Sequence, residues 1–167
     1  GKPNWGLDRN GGPGGMDCMI TPPAVLRAVL EYVFLAKPAG VVLGDAPLQG
    51  CDFERLLDFG GLRAVLAEFR ARGLPLAVKD FRRTVMRQEG DLKRVAEELR
   101  PEADYALVDL GADSLLEPIS ADWKKFRVTV YDPRKMRAHH RPGRHRFLVA
   151  RDILAADLVV NVPKLKA

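Results

Sequence analysis

The sequence predicts a single α/β domain over residues 1–167, with a mainly parallel sheet and helices on both of its faces. Short apolar runs alternate with amphipathic segments at helical spacing through the first two-thirds of the chain. These runs are continuously apolar, which is typical of parallel strands that are covered on both sides. After residue 126 the predicted strands lie closer together, which favours an antiparallel edge.

The first elements are a loop, a helix and a strand. Residues 10–15 hold too much glycine for regular structure, so we predict a long loop. Thr21 is the predicted N-cap of a helix whose first position is Pro22, because apolar residues recur at helical spacing behind it. The apolar run 41–43 predicts a buried strand that ends at Gly44-Asp45.

Two helices and another strand follow. We predict helices over 52–58 and about 61–71, and the second should end at Gly73. The run 76–78 predicts a buried strand. Apolar residues at helical spacing within 84–104 predict a short helix, although this pattern is weaker.

The remaining chain predicts four strands and one short helix. The strands cover 105–111, 126–131, 147–149 and 158–162, and the helix covers 150–156. Residues in the least polar runs should form the core. They are Val42, Leu43, Val78, Leu107, Val108, Val159 and Val160.

The positive charge of the chain is concentrated in one segment. The formal net charge is +5, but residues 124–151 hold ten lysines and arginines and one acid, Asp132. That segment therefore carries +9 and the rest of the chain −4. Such a local excess favours an anionic ligand at one place over a protein that is basic all over.

Cysteine usage and the chain ends bear on the compartment. Cys18 and Cys51 are too few for a disulfide framework and lack the spacing of a zinc or iron–sulfur site, so we expect reduced thiols in a cytoplasmic protein. No run of about 18 apolar residues predicts a membrane span. There is no starting methionine, and a strand signal directly precedes the last residues, so we expect a chain truncated at both ends.

Acidic residues follow four predicted strands: Asp45, Asp80, Asp109 and Asp132. In parallel α/β sheets ligands bind at the carboxyl ends of strands, where such acids suit acid–base chemistry or a metal. An aspartate after a strand equally caps the next helix or closes a turn. Asp45 and Asp109 each lie near a glycine, which lets a ligand approach the backbone, so we predict that both are catalytic and share one cleft.

The segment 134–146 combines basic residues with all three histidines of the chain. Three interpretations stay open: a solvated positive loop, a clamp for an anion and a transition-metal site. The residues of the clamp would be Arg137, Arg141 and Arg144. The ligands of the metal would be His139, His140 and His145.

Polar residues also lie near both ends of the chain. Lys2 and Asn4 stand near its start, and Lys164 and Lys166 stand near its end. If both ends flank the same sheet edge, we expect Lys164 in the catalytic site and Lys2, Asn4 and Lys166 as anion-binding residues. Otherwise these lysines are solvated.

Four short motifs occur in order along the chain. They are Lys2-Pro3-Asn4, Gly44-Asp45-Ala46-Pro47 with Gly50, Val108-Asp109-Leu110-Gly111, and Asn161-Val162-Pro163-Lys164-Leu165-Lys166. In this order the motifs resemble family 362 of the domains of unknown function over nearly the whole chain. The resemblance implies a prokaryotic protein that is often paired with a ferredoxin-like iron–sulfur module. The chain departs from the family at Ala167, where threonine is common, and the family's later histidine and Lys-Asn pair do not follow.

Three functions compete. The first is the catalytic part of a redox- or metal-linked enzyme that acts on an anionic small molecule. The second is an anion- or nucleic-acid-binding module that uses segment 124–151. Nucleic acid is the weaker ligand here, because aromatic residues only flank the segment. The third is a structural domain that packs on the remainder of a longer protein. The cofactor is unknown: this chain has no iron–sulfur motif, so a cluster would belong to a missing segment or a partner module.

Overall fold

The computed structural model describes residues 1–89, 92–96, 100–122, 126 and 133–165. Helices and strands are mixed within these residues, as an α/β chain requires. The chain divides into two compact units. Unit 1 comprises Gly1–Glu102 and Ala156–Ala167, and unit 2 comprises Ala103–Ala155.

The helices and strands are named here in chain order. The helices are α1 (Pro23–Leu35), α2 (Phe53–Phe59), α3 (Leu62–Ala71), α4 (Pro133–His139) and α5 (Arg151–Leu154). The strands are β1 (Lys2–Pro3), β2 (Val41–Asp45), β3 (Leu76–Asp80), β4 (Val85–Glu89), β5 (Leu92–Ala96), β6 (Tyr105–Asp109), β7 (His140–Arg141), β8 (Arg144–Ala150) and β9 (Asn161–Val162).

Two parallel strand pairs organise unit 1. β2 pairs with β3 in parallel, from Val41 opposite Leu76 to Asp45 opposite Asp80. β1 pairs in parallel with β9. The backbone of Gly1 connects the two pairs, since its nitrogen donates to the Val42 carbonyl at 2.6 Å and its carbonyl accepts from the Gly44 N–H at 3.1 Å.

Local signals explain where the helices of unit 1 begin and end. The Asp52 carboxylate caps α2 by accepting from the Arg55 N–H at 3.1 Å. Gly73, just past α3, has a φ of +71°, which favours glycine at a helix end. The prediction of Thr21 as the cap of α1 is wrong: the N-cap is Pro22, with no side-chain cap. The Thr21 hydroxyl has other partners, which are described below.

Antiparallel pairing accounts for the other described strands. β4 and β5 form an antiparallel pair, so the short helix predicted within 84–104 is wrong for 92–96. In unit 2, β8 lies between β6 and β7 and is antiparallel to both. Parallel pairs therefore do not dominate the described strands. The predicted strand over 126–131 lies, apart from Phe126, outside the described residues.

The buried core of unit 1 joins the helices to β2 and β3. Phe69 is fully buried and stacks on Phe34 with ring centroids 5.6 Å apart. Of the predicted core, Leu43 is buried, and four residues are half-buried. Those four are Val42, Val78, Val108 and Val160. The prediction is wrong for Leu107 and Val159, which are exposed. Val159 precedes the short strand β9, and Leu107 shares an open face with Leu148 opposite it.

No described helix has both the length and the apolar character needed to cross a membrane.

Candidate functional site

The pairing of β1 with β9 brings the two ends of the sequence together. Pro3 lies opposite Val162, so Asn4 and Lys164 both follow strands that run side by side in the same direction. β2 runs parallel to them through its hydrogen bonds with Gly1 and ends at Asp45. The structure therefore places Asn4, Asp45 and Lys164 at the carboxyl ends of parallel strands, which is where α/β sheets bind ligands.

The Asp45 carboxylate is buried and fully engaged. It accepts from the Trp5 N–H at 2.6 Å and the Ala46 N–H at 2.9 Å. The Lys2 ammonium lies 3.0 Å from Asp45 Oδ1, and the side chain of Lys2 is 42% exposed. Asp45 thus holds Lys2 and the backbone of Trp5 in place.

Asn4 is fixed by its backbone rather than by its side chain. Its N–H donates to the Thr21 hydroxyl at 2.9 Å, and its carbonyl accepts from the Thr21 N–H at 2.9 Å. The same hydroxyl donates to the Val162 carbonyl at 2.8 Å. Thr21 therefore fastens the start of the chain to β9, a role that the sequence pattern did not indicate.

Several polar groups at this edge have no partner within the part of the chain that the structure describes. The buried atoms Asn4 Oδ1 and Trp5 Nε1 have no hydrogen bond. Trp5 is only 2% exposed and packs edge-on against Phe53. Lys164 is half-buried and has no described hydrogen bond or ion pair. Buried polar groups are normally hydrogen-bonded, so the orphaned atoms call for an explanation.

Asp80, in register with Asp45, is neutralised by a residue that sequence reasoning missed. The guanidinium of Arg82 contacts both carboxylate oxygens of Asp80, and Arg82 is 4% exposed. Its Nη1 donates to the carbonyls of Leu48 and Cys51, both at 2.9 Å. The only local signal was an arginine two positions after an aspartate, and the carbonyl partners are more than 30 positions away.

The Cys51 thiol is not a nucleophile at neutral pH. Burial raises the pKa of this thiol to about 12, whereas the thiolate is the reactive form. Cys51 therefore belongs to the core, and Cys18 is an exposed free thiol.

Asp109 belongs to unit 2, where it also plays a positioning role. Its carboxylate accepts from the N–H groups of Gly111 and His145 and from Nε of Arg146, each at 3.0 Å. The Gly111 N–H, Arg146 and the His145 N–H lower its pKa to about 2, so it stays ionised near neutral pH. Asp45 lies in unit 1, and a shared cleft for the two stays a prediction.

The strands β7 and β8 form a hairpin that carries the basic and histidine residues. His140 is opposite His145, and Arg141 is opposite Arg144. His145 is fully buried, with Nε2 at 3.0 Å from Glu117 Oε2. Both oxygens of Glu117 also accept from the Gly143 N–H, at 3.1 and 3.0 Å. Glu117 lies 26 positions from this turn, and sequence reasoning missed it.

The three histidines differ in environment. His139 is exposed at the end of α4, whereas His140 is buried. Burial, and then the neighbouring histidines, lower the pKa of His140. Among the described residues, no group of three His, Cys, Asp or Glu side chains is arranged to hold a metal ion. The metal site stays a prediction.

The other predicted anion ligands are placed as follows. Arg137 is exposed in the last turn of α4. Arg141 is exposed and Arg144 half-buried. Lys166 lies outside the described residues.

No protein-family model, curated protein or solved structure matches this chain. The resemblance to family 362 of the domains of unknown function therefore stays a prediction.

Proposed function

We propose that the protein binds an anionic small molecule at the carboxyl edge of the parallel strands of unit 1. Lys164, Lys2 and Asn4 are the ligand-binding residues, and Asp45 positions them. The observation that carries the proposal is the register of β1 against β9, because Asn4 and Lys164 follow the carboxyl ends of these neighbouring parallel strands.

The unpartnered groups of this edge suit a carboxylate or a phosphate. The Lys164 ammonium and the indole N–H of Trp5 are hydrogen-bond donors. Within the described residues these donors are not satisfied by the protein. An anion would accept from them and would interact with a positive charge that Asp45 does not cancel, since Asp45 is paired with Lys2.

The proposal includes one mainly parallel sheet in unit 1, with the order β9-β1-β2-β3 and helices on both faces. The Gly1 hydrogen bonds to β2 support this order, because they continue the parallel pattern of the two recognised pairs. It also includes a cytoplasmic location, where the free thiols of Cys18 and Cys51 would stay reduced.

Asp45 acts in this proposal as a positioning residue. Its carboxylate has three donors around it. To take a proton from a substrate it would have to give up one of them. We therefore assign to Asp45 the placement of Lys2 and Trp5, and to Lys164 the contact with the reacting anion.

The test is a titration of the ¹⁵N-labelled protein with inorganic phosphate and with succinate. The indole N–H resonance of Trp5 should shift in a saturable way, because this N–H gains an acceptor. The chain has two tryptophans, and the second indole resonance is assigned through Trp123→Phe. In Lys164→Met the dissociation constant should rise roughly 10–100-fold, since a charge-assisted hydrogen bond contributes about 1.5–3 kcal/mol.

The matched control is Lys37→Met. Lys37 is exposed and follows α1, at the amino end of β2 and thus at the opposite edge. Lys37→Met therefore removes one positive charge, as Lys164→Met does, but leaves the proposed site unchanged. The proposal is wrong if the two variants bind both anions equally well, or if the Trp5 indole does not respond to either anion.

We further propose that the bound anion is the substrate of a redox- or metal-linked reaction. The resemblance to family 362 implies a ferredoxin-like iron–sulfur module, carried by another segment or by a partner protein. Purifying the protein from its native source without oxygen, followed by metal analysis and intact mass, tests this. Stoichiometric iron and sulfide that co-purify with the chain would support it. A chain that carries anion-binding activity and no redox-active group or partner would contradict it.

A further inference from the structure

A pair of arginines faces each other across the hairpin of unit 2. Arg141 and Arg144 are opposite residues of antiparallel strands, and only Pro142 and Gly143 separate them along the chain. Side chains of opposite residues lie on the same face, with Cβ atoms about 4.5–5.5 Å apart. Two like charges in this position destabilise a hairpin, so the pair works against folding.

The two acids that contact this hairpin, Asp109 and Glu117, bind groups other than Arg141 and Arg144. Asp109 accepts from Arg146 and from two backbone N–H groups. Glu117 accepts from the Gly143 N–H and lies against His145. Within the described ranges, neither Arg141 nor Arg144 has a carboxylate partner. The positive charge of the pair is therefore available to an outside group.

The arginine face of the hairpin is the outward one. Successive residues of a strand point to opposite faces, so Arg141 and Arg144 point away from the face of His140 and His145. These histidines are 8% and 0% exposed, and the ring of His140 lies 5.1 Å from that of Phe147. The histidine face is thus the packed one, which leaves the arginines accessible.

The hairpin is held in one conformation before any ligand arrives. Gly143 has a φ of +72°, a conformation that favours glycine. The Glu117 carboxylate accepts from the Gly143 N–H and also contacts the His145 ring at Nε2, so it connects the turn to β8. Because the turn is already ordered, a ligand that binds to the arginines pays a smaller entropic cost.

We propose that Arg141 and Arg144 form a second anion site, distinct from the edge of unit 1, for a small ligand that carries a phosphate group. Two guanidinium forks offer paired N–H donors at fixed spacing, which match the oxygens of a phosphate and supply two positive charges to a dianion. Arg137 adds a third exposed positive charge on α4, a helix that packs on β7 and β8. The neutralised pair would no longer destabilise the hairpin.

The experiment follows the Arg141 and Arg144 Nε–H and the Gly143 amide resonances during titration with inorganic phosphate. Chloride at matched ionic strength serves as the reference, because general screening does not discriminate between anions. The resonances should shift in a saturable way with phosphate only. The double variant Arg141→Gln/Arg144→Gln should bind phosphate at this site at least tenfold more weakly, and the Gly143 amide should then stop responding.

Two further variants separate charge from geometry. Arg9→Gln/Arg70→Gln removes the same two charges from exposed positions of unit 1 and should leave the Gly143 response unchanged. Arg141→Lys/Arg144→Lys keeps both charges but loses the forks, so its affinity should fall between those of the wild type and the glutamine variant.

Three results would overturn the proposal. The first is an equal phosphate response in the wild type and in Arg141→Gln/Arg144→Gln. The second is an equal loss of binding in the unit 1 control. The third is binding of single-stranded DNA that depends on both arginines while phosphate produces no shift, which would assign the hairpin to a nucleic acid. The Trp5 indole response reports the edge of unit 1 independently, so the two proposals fail separately.

Discussion

Replacing Arg82 with methionine should cause a large loss of stability. The guanidinium of Arg82 is almost completely buried and contacts both oxygens of the buried Asp80. It also donates to the carbonyls of Leu48 and Cys51. Methionine fills a similar volume but removes every one of these donors. The variant therefore leaves an uncompensated carboxylate and two orphaned carbonyls inside unit 1.

The expected magnitude follows from the burial of the pair. Breaking a buried ion pair by removing one partner costs about 3–5 kcal/mol. The orphaned carbonyls cost about 1–3 kcal/mol each when no water reaches them, but these contributions overlap with the first. We expect a decrease of about 4 kcal/mol in the free energy of unfolding. For a chain of this length that corresponds to a fall in Tm of roughly 8–16 °C.

Urea unfolding followed by circular dichroism measures this free energy. The control is Arg63→Met, because Arg63 pairs with Glu54 and Asp58 but is 49% exposed, and exposed pairs contribute about 0–1 kcal/mol. The double variant Asp80→Asn/Arg82→Met should recover part of the loss, since no charge then remains buried without a partner. If Arg82→Met costs no more than Arg63→Met, the assignment of Arg82 as a buried anchor is refuted.

Three other variants test the core, a close contact and an acid. Phe69→Ala should lower the free energy of unfolding by about 3–5 kcal/mol because Phe69 is 0% exposed. Phe59→Ala, 64% exposed, should cost under about 1 kcal/mol in the same urea assay; similar losses would contradict the core assignment. Gly44→Ala should lower Tm, because a Cβ at this position would lie 2.6 and 2.8 Å from carbons of the Phe81 ring. In the control Gly40→Ala the new Cβ meets nothing within 4 Å, so Tm should stay nearly unchanged. The lowered pKa of Asp109, about 2 against 3.8, adds stability that is complete above about pH 4 and is lost as the pH falls towards 2. The urea midpoint of Asp109→Asn should therefore fall less steeply over that interval than that of the wild type, and parallel curves would contradict the assignment.

The elements that the sequence predicted well are those whose signals are local. The run 41–43 marked β2 because it is short, apolar and followed by Gly-Asp. Helix α3 was expected at about 61–71, and it spans Leu62–Ala71. Gly73 marked its end because a left-handed residue there needs no distant partner. Only the element boundaries shifted, by one or two residues.

The predictions from sequence failed where an element depends on a pairing partner that lies elsewhere in the chain. Leu92, Val95 and Leu99 have helical spacing, yet Leu92–Ala96 is a strand because it pairs with Val85–Glu89. Cross-strand pairing overrides such a weak local pattern. The strand at Tyr105–Asp109 was predicted correctly, but its antiparallel partner β8 lies about 40 positions later and has no signature in the strand itself.

Among the candidate site residues that the structure describes, the acidic ones have partners within the described protein and several basic ones do not. Sequence reasoning chose Asp45 and Asp109 as catalytic because acids after strands are the usual ligands of substrates and metals. The structure surrounds both carboxylates with donors, although Asp45 is buried whereas the side chain of Asp109 is 38% exposed. Lys164 and Arg141, by contrast, have no acidic partner in the described part of the chain. Each of these two carboxylates would have to give up a donor to take a proton from a substrate, whereas Lys164 and Arg141 keep a positive charge with no described acidic partner. These contacts therefore agree better with the anion recognition that we propose than with acid–base chemistry by Asp45 or Asp109.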